Sequence, residues 1–211
     1  MLTCASAPLN RNRPATGHTS QATLLHLHDR RAPGRAAVEA FIRGVYRQRY
    51  GADVQHFAPM LVSLQDEDGV VVAAAGYRAA NIEPLFLERY LDAPIETRLG
   101  ETSPVVPQRH LIVEVGHLAA ARAGQGQRLI LLLGPHLARQ GFQWVVATLT
   151  QELRHLFVRM GIAPMALGVA DPALLGDAAE SWGSYYDHRP VVLAGQLSVA
   201  LQIQARRHSL A

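Results

Sequence analysis

Apolar residues recur every three to four positions in several stretches of the chain, a spacing that places them on one face of a helix. The clearest stretch is 33–50, in which Val38, Phe41, Ile42 and Val45 share a face and Gly51 provides a helix end. The same reasoning predicts a set of further helices. They are 84–90, 124–139, 151–160 and 172–180.

Alternating or continuous apolar runs predict strands. The strongest signal is the turn Asp66–Gly69 between apolar runs 60–65 and 70–77, which is typical of a β-hairpin. A final strand is predicted over 196–204, where apolar and polar residues alternate. The other predicted strands are 23–28, 111–115, 142–148 and 163–169. An aromatic loop is predicted at 182–190.

The order of these elements predicts an α+β fold with a mixed central sheet flanked by helices. The length of 211 residues fits one domain. We predict a disordered N-terminal tail over 1–22, a single domain over 23–205 and a C-terminal tail over 206–211. Neither a signal peptide nor an apolar stretch of membrane-spanning length is apparent in the sequence, so we expect a cytoplasmic protein.

Composition removes several kinds of chemistry. All 20 basic side chains counted as lysine or arginine are arginine, which excludes Schiff-base and P-loop lysines. The net charge of +3 is spread along the chain, which argues against nucleic-acid binding. The single cysteine, Cys4, excludes an internal disulfide. We also expect no metal site, because His26 and His28 lack a third ligand.

The segment 113–130 carries the main candidate binding motif. A strand leads into Gly124 and Gly126, and these glycines open an amphipathic helix. A helix N-terminus offers unpaired N–H groups to an anion, and glycine lets a phosphate come close. Arg122 and Arg128 flank the loop. On these residues alone, a phosphate site and a plain strand-to-helix turn are equally supported.

Glu114 is the main candidate catalytic residue because it interrupts the apolar run 111–115. A carboxylate in a central strand is costly unless it is paired or functional. It is either a general base or amine-binding group, or the partner of an arginine. Arg78, at the end of a strand, contacts substrate or forms an edge salt bridge. His117 either relays a proton or is structural.

Further candidate substrate contacts lie at a strand end, on the first helix and in the aromatic loop. Thr148 and Thr150 stand at the C-terminal end of a predicted strand, where ligands often bind. Arg43 and Tyr46 share a face of the first helix, together with Tyr50. A third group, in the aromatic loop, lines a pocket or packs a flap against the sheet. This group is Trp182, Tyr185 and Tyr186.

The glycine loop resembles the acyl-donor loop of the GNAT acyltransferases, in which a Gln/Arg-x-x-Gly-x-Gly/Ala pattern follows a strand. The resemblance implies that 142–148 splays away from the donor strand. Phe157 occupies the position of the tyrosine acid of that family. The implied donor-binding residues are Val115, Gly116, Leu118, Arg122, Gly124, Gln125, Gly126, Gln127 and Arg128.

Over about residues 24–195 the chain resembles the thermostable hemolysin family, which is similar to GNAT folds and, more loosely, to acyl-homoserine lactone synthases. The parallels with the synthases are Arg43 with Tyr46, Arg78, and the run 114–118. The segments that carry the family resemblance are 41–51, 85–91, 112–119, 144–150, 153–161 and 182–187.

These features predict an acyltransferase that uses acyl-CoA or an acyl carrier protein as co-substrate, with no permanently bound cofactor. The acceptor is expected to be a small amine or amino-acid-like molecule. Two alternatives stay open: a membrane-active, lipid-binding protein, as the family name suggests, and a binding module without catalysis. An exposed final strand would allow a homodimer.

Overall fold

The computed structural model describes residues 24–103 and 105–208. The predicted tail at 1–22 and residues 209–211 lie outside the described residues. Most of the described chain forms one sheet with helices on both faces, as the alternation of strand and helix patterns predicted.

The sheet has seven strands in the order β1-β2-β3-β4-β5-β7-β6. All neighbouring strands are antiparallel except β4 and β5, which are parallel. The predicted mixed sheet of an α+β fold is therefore present. The strands are β1 (His26–His28), β2 (Met60–Gln65), β3 (Val71–Ala79), β4 (Ile112–Ala120), β5 (Trp144–Leu149), β6 (Met165–Val169) and β7 (Val191–Gln196).

Five α-helices accompany the sheet, together with short 3₁₀ helices at Phe86–Tyr90 and Arg109–Leu111. A longer run of 3₁₀ turns, Pro172–His188, is called the cover segment below. The α-helices are α1 (Arg35–Tyr50), α2 (Ile95–Gly100), α3 (Gln125–Arg139), α4 (Gln151–Arg159) and α5 (Leu197–His208).

The alternation of side chains along β2 and β3 divides the core into two layers. Leu61 and Ala74 pack with Ile42 of α1 on one face. Val62 and Ala75 face the opposite layer, where they pack with the leucines of α3. Helices α1 and α3 therefore cover opposite faces of the sheet. The candidate site lies on the face of β4 that is turned toward α1.

The prediction of a final strand at 196–204 is wrong. Residues Leu197–His208 form α5, and the last strand is β7, which lies between the predicted aromatic loop and α5. Leu197 and Leu201 are four residues apart, and both face α3: Leu197 packs in its layer and Leu201 lies beside Gly134. Only these two of the alternating apolar residues are needed for the helix face, and Val199 is exposed. The dimer argument that rested on a final strand no longer applies.

Two further segments differ from the prediction. Helix α2 is not among the predicted helices, and the aromatic loop at 182–190 belongs mostly to the cover segment. Gly176 and Gly183 interrupt the helical turns of this segment with positive φ angles of 56° and 52°. These breaks explain why no helical periodicity continues through it. Helix α5 also extends three residues into the predicted tail at 206–211.

Candidate functional site

The central parallel strands part halfway along their length. β4 and β5 are paired only from Ile112 and Trp144 to Glu114 and Val146. Both strands continue beyond that point, β4 to Ala120 and β5 to Leu149. We call the resulting space the β4–β5 gap. The predicted splaying of the strand after the donor strand is therefore present.

A β-bulge shapes β4 at the gap. Gly76 pairs with Gly116 and Ala74 with Ala119, so two residues of β4, His117 and Leu118, oppose the single residue Ala75 of β3. His117 takes a left-handed backbone conformation, with φ of 54°. This conformation costs about 1–3 kcal/mol for a residue other than glycine, and such strain is concentrated at functional sites.

His117 is held in an apolar environment behind the bulge. Its ring lies 5.4 Å from the ring of Phe57, and it has a hydrogen bond with the backbone of His56. Its Nδ1 atom is buried and has no hydrogen-bond partner among the described residues. Burial, aided by the charge of Arg78, lowers the pKa of His117 to about 4. His117 is therefore neutral at pH 7.

Glu114 is buried, with 7% of its surface exposed. Its Oε2 accepts a hydrogen bond from the backbone N–H of Phe86 at 2.8 Å, and its Oε1 accepts one from Leu87 at 3.0 Å. The carboxylate thus caps the start of the 3₁₀ helix Phe86–Tyr90. Burial raises the pKa of Glu114, although Arg78 and the two N–H groups favour its charged form.

Arg78 joins two carboxylates at the edge of the site. Its Nε lies 3.3 Å from Oε2 of Glu114, and its Nη1 lies 3.3 Å from Oε1 of Glu83. The salt-bridge interpretation of Glu114 and Arg78 is therefore confirmed, and their catalytic and substrate-binding roles stay predictions. The residues form a salt bridge, and both also line the cavity described next.

A cavity of about 280 Å³ lies where the strands part. One wall consists of β4 residues 114–118, and Thr148 of β5 lies on the other side. Aromatic side chains of α1, the 3₁₀ helix Phe86–Tyr90 and the cover segment form the remaining wall. They are Tyr46, Tyr50, Phe86, Tyr90, Trp182, Tyr185 and Tyr186.

The cover segment is fixed to the C-terminal end of α1. The Ser184 hydroxyl donates to the carbonyl of Tyr50 at 3.2 Å, and the N–H of Asp53 donates to the carbonyl of Ser181 at 2.7 Å. At Gly183, a Cβ atom would lie only 2.1 Å from the carbonyl oxygen of Tyr50. Glycine is required there because the two backbones are in contact.

The aromatic residues of the cover segment line the cavity, which is the first of the two alternatives predicted for them, and they also pack on α1. Tyr185 stacks on Tyr46 at 6.3 Å and meets Tyr50 edge-on at 5.2 Å. The hydroxyls of Tyr90 and Tyr186 are hydrogen-bonded at 2.6 Å. Their mutual contacts give the cavity a rigid aromatic wall.

The structure brings eight of the predicted site residues together around the cavity. They are Tyr46, Arg78, Glu114, Val115, Gly116, His117, Leu118 and Thr148. Two others stand outside it. Arg43 donates to the carbonyl of Val54 at 3.1 Å and lies over the ring of Phe57. Thr150 is fully buried and precedes the first residue of α4.

The predicted phosphate loop also lies outside the cavity lining. Gly124, with φ of 87°, precedes α3, and Arg122 and Arg128 beside it are exposed. The side-chain oxygen of Gln125 is buried and has no hydrogen-bond partner among the described residues. The position after β4 and at the start of a 15-residue helix is the one the sequence predicted.

Sequence reasoning did not identify several cavity residues, among them Arg89 and His56. Arg89 lies over the ring of Phe86 at 4.5 Å, and no salt bridge to it is found among the described residues. Arg89 lies in the short 3₁₀ helix Phe86–Tyr90 and His56 in the irregular connection between α1 and β2, and in such short segments no periodic pattern shows which way a side chain points. In the described part of the chain, no three His, Cys, Asp or Glu side chains come together as a metal site.

The fold is similar to that of several enzymes of known structure. The CoA-dependent acyl-homoserine lactone synthase BjaI, solved with SAM and isopentyl-CoA, has a TM-score of 0.59 at 12% identity, with 88% of this chain and 89% of that chain covered. The acyl-homoserine lactone synthase LasI has a TM-score of 0.56 at 14% identity, with 83% and 90% covered.

FeeM, an N-acyl amino acid synthase from uncultured soil microbes, has a TM-score of 0.55 at 13% identity, with 84% of this chain and 97% of that chain covered. These likenesses confirm the GNAT-like α+β fold. No curated protein sequence matches the chain. The family model of the thermostable hemolysins matches residues 28–201. The chain therefore belongs to the thermostable hemolysin family.

Proposed function

We propose that this protein is an acyltransferase, which moves an acyl group from acyl-CoA or an acyl carrier protein to a small amine or amino-acid-like acceptor. The observation that carries the proposal is the β4–β5 gap, which opens beside the buried carboxylate of Glu114. A gap between two strands exposes backbone N–H and C=O groups. An extended acyl-pantetheine arm can pair with these groups as an added strand would.

The donor enters the gap with its phosphates toward α3. The N-terminal N–H groups of this helix and the glycines at 124 and 126 suit a phosphate, and Arg122 and Arg128 add positive charge. The buried, unpartnered oxygen of Gln125 is an acceptor, so it suits an N–H or O–H group of the bound co-substrate rather than its phosphates. The thioester then lies beside Val115, Gly116 and Leu118.

The β-bulge in β4 supports the placement of the thioester beside Val115, Gly116 and Leu118. Pairing of β4 with β3 is interrupted at His117 and Leu118, and pairing with β5 has already ended at Glu114. Backbone N–H groups in this stretch can donate to the oxyanion that forms when an amine attacks the thioester carbonyl. A fixed donor of this kind typically contributes about 100-fold to 1000-fold in rate.

Glu114 is proposed as the group that accepts the proton of the attacking amine, directly or through a water molecule. Its raised pKa makes it a stronger base than an exposed carboxylate. Arg78 and the two N–H groups hold the carboxylate in one orientation, at the wall of the cavity. His117 is neutral and can relay the proton.

The acceptor is placed in the aromatic part of the cavity, between α1 and the cover segment. Arg89 at the cavity wall offers a guanidinium group to an acceptor carboxylate, which favours amino-acid-like acceptors. The related folds support the proposal, since one belongs to an N-acyl amino acid synthase and another to a CoA-dependent synthase.

The proposal is tested by incubating the purified protein with a panel of acyl-CoA and acyl-carrier-protein donors and amine acceptors, with mass spectrometry of the products. Wild-type protein is expected to form N-acyl products, and Glu114→Gln to form them at least about 100-fold more slowly. Gln125→Ala, beside the proposed phosphate position, should raise the donor KM more than it lowers kcat.

A parallel liposome-leakage assay tests the activity that the family name suggests. In the described residues no helix is long and apolar enough to cross a membrane. Leakage that needs no donor and is unchanged by Glu114→Gln, without any acyl transfer, would overturn the proposal. If the protein binds donors but forms no product with any of them, it is a binding module without catalysis.

A further inference from the structure

The hydroxyl of Tyr185 lies at the β4–β5 gap. It donates a hydrogen bond to the carbonyl of Thr148 at 3.3 Å. Thr148 is two residues beyond Val146, the last residue of β5 that pairs with β4. The cover segment therefore places one phenol at the point where β5 has lost its partner strand, although the segment is distant from β5 in sequence.

The ring of Tyr185 is fixed, but its hydrogen bond is weak. The residue is 7% exposed and is held between Tyr46 and Tyr50. A distance of 3.3 Å is long for a hydroxyl donor, whose usual range ends near about 3.0 Å. The hydroxyl of Thr148 is also buried and has no hydrogen-bond partner among the described residues. The site thus holds polar atoms that are poorly satisfied in the free protein.

Several other side chains near the gap are already engaged or lack a proton. Tyr90 and Tyr186 are bound to each other at 2.6 Å. Glu114 accepts two backbone N–H groups and faces Arg78. Phe157, which packs near the gap with Leu118, has no polar hydrogen. Beside the unpartnered hydroxyl of Thr148, the Tyr185 hydroxyl is a donor at the end of β5 that is held only by a long hydrogen bond.

We propose that the Tyr185 hydroxyl transfers its hydrogen bond from the Thr148 carbonyl to the departing thiolate sulfur during acyl transfer. This inference rests on the proposed function. It adds a residue that contacts the reacting atoms and that neither the sequence pattern nor the family relationship assigns.

The step balances without any further reactant. The amine nitrogen forms a bond to the carbonyl carbon, and the carbon–sulfur bond breaks with its electron pair on sulfur. The amine proton passes to the Glu114 carboxylate. The thiolate leaves while it accepts the hydrogen bond of Tyr185. After release the thiolate takes a proton from solvent and Glu114 gives its proton up to solvent.

A hydrogen bond, rather than a complete proton transfer, fits the environment of the phenol. Burial raises the pKa of Tyr185 well above its usual value. The phenol therefore keeps its proton and stabilises the negative sulfur as a fixed dipole, in the manner of an oxyanion-hole donor. The aromatic wall excludes water, and this strengthens the interaction.

The first test compares acyl donors that differ in the acidity of the leaving thiol. Tyr185→Phe keeps the ring and removes the hydroxyl, so it should slow transfer from an alkyl thioester such as acyl-CoA by about 10- to 100-fold. With an acyl thiophenol donor the thiolate needs little stabilisation, and the defect should fall to a few-fold. The matched control is Tyr186→Phe, which removes a hydroxyl from the same cavity and should show no such dependence.

The second test does not need turnover. The thiol pKa of CoA bound to the protein is measured by thiolate absorbance as the pH is raised. The wild-type protein and Tyr186→Phe should lower this pKa relative to free CoA, and Tyr185→Phe should lower it less. An equal thiol pKa in wild type and Tyr185→Phe overturns the inference, as does a failure to bind CoA.

The two proposals fail separately. If the wild-type protein lowers the thiol pKa through Tyr185 but transfers no acyl group, the proposed function fails and the hydrogen bond stands. If acyl transfer occurs and Tyr185→Phe slows alkyl and aryl donors equally, the inference about Tyr185 fails and the acyltransferase stands.

Discussion

Glu114 of β4 lies directly opposite Arg78 of β3, and Nε of the arginine is 3.3 Å from Oε2 of the carboxylate. The pair is close to the point at which β4 and β5 part. The guanidinium holds the carboxylate in place and also favours its charged form, against the burial that favours the neutral form. The arginine therefore tunes the proton affinity of the proposed base.

Replacing Arg78 should move the pH dependence of acyl transfer. A base must be deprotonated to act, so kcat/KM is expected to fall as the pH falls through the pKa of Glu114, which lies above the usual glutamate range. Arg78→Met removes the attraction that partly offsets burial. The acid limb of the pH–rate profile should then shift to higher pH.

The control for this shift is Glu114→Gln. Its residual rate should be low, and its pH–rate profile should lack the acid limb, because glutamine does not titrate. An Arg78→Met profile with an unchanged acid midpoint, or a Glu114→Gln profile like that of the wild type, would show that another group is titrated.

Acidification should destabilise the protein through His117. Its pKa of about 4 in the folded protein lies below the unfolded value of 6.5, so the unfolded chain binds the proton more readily between these values. The stabilisation is complete above about pH 6.5 and is lost as the pH falls toward 4, with a loss of up to about 3 kcal/mol.

His117→Asn tests this directly, because asparagine does not titrate and tolerates a left-handed backbone. Urea unfolding at a series of pH values should show a smaller loss of stability between pH 6.5 and 4 in the variant than in the wild type. His136 is also buried, with a lowered pKa, and His136→Asn serves as the comparison. If the free energy of unfolding falls equally with pH in the wild type and in His117→Asn, protonation of His117 does not cause the loss of stability.

The hairpin, helix α1 and the turn before α3 were predictable because local sequence dictates them. Asp66–Gly69 forms its turn and α1 presents its apolar stripe without help from distant residues. The parting of β4 and β5 was predicted from the resemblance to the GNAT acyltransferases. The aromatic wall was only one of two alternatives, since it requires the cover segment to fold back on α1, and Ser184 is 134 positions from Tyr50 in the sequence.

The C-terminal error has a related cause. The alternation at 197–203 fits a strand, but Leu197 and Leu201 within it are also four residues apart on one helix face, and Val199 on the other side is 49% exposed. Residues 191–196 occupy the place beside β5, and the next residues pack on α3 as α5. The sequence likewise did not show which groups the Glu114 carboxylate would bind. Its hydrogen-bond donors, the N–H groups of Phe86 and Leu87, lie on a short 3₁₀ turn that is distant in sequence.

The close contact at Gly183 should be required for a stable cover segment. Gly183 and Gly176 have nearly the same backbone angles, φ 52° with ψ −129° and φ 56° with ψ −137°. A Cβ at Gly183 would collide with the carbonyl of Tyr50, whereas nothing lies within 4 Å of one at Gly176. Both alanine variants therefore carry similar backbone strain, and only one carries a clash.

Gly183→Ala should lower the melting temperature by about 5 °C or more beyond the effect of Gly176→Ala. The fluorescence of Trp182, the neighbouring residue, should change only in Gly183→Ala. Equal melting temperatures for the two variants would mean that the cover segment does not rest on the end of α1 as described.

The cavity at the β4–β5 gap is the centre of this account, and Gly116→Val tests it most directly. Gly116 lines the cavity, and nothing lies within 4 Å of a Cβ placed there. Gly195, a glycine of β7 with equally open space, does not line it and provides the control Gly195→Val. Both variants should retain their melting temperatures within about 3 °C.

The decisive measurement is the rate of acyl transfer from acyl-CoA, together with the Kd of CoA, for these two folded variants. A valine side chain in the gap should lower the rate at least about 100-fold and weaken CoA binding in Gly116→Val, while Gly195→Val behaves like the wild type. Wild-type transfer and CoA affinity in a folded Gly116→Val protein would contradict the placement of the thioester in the gap.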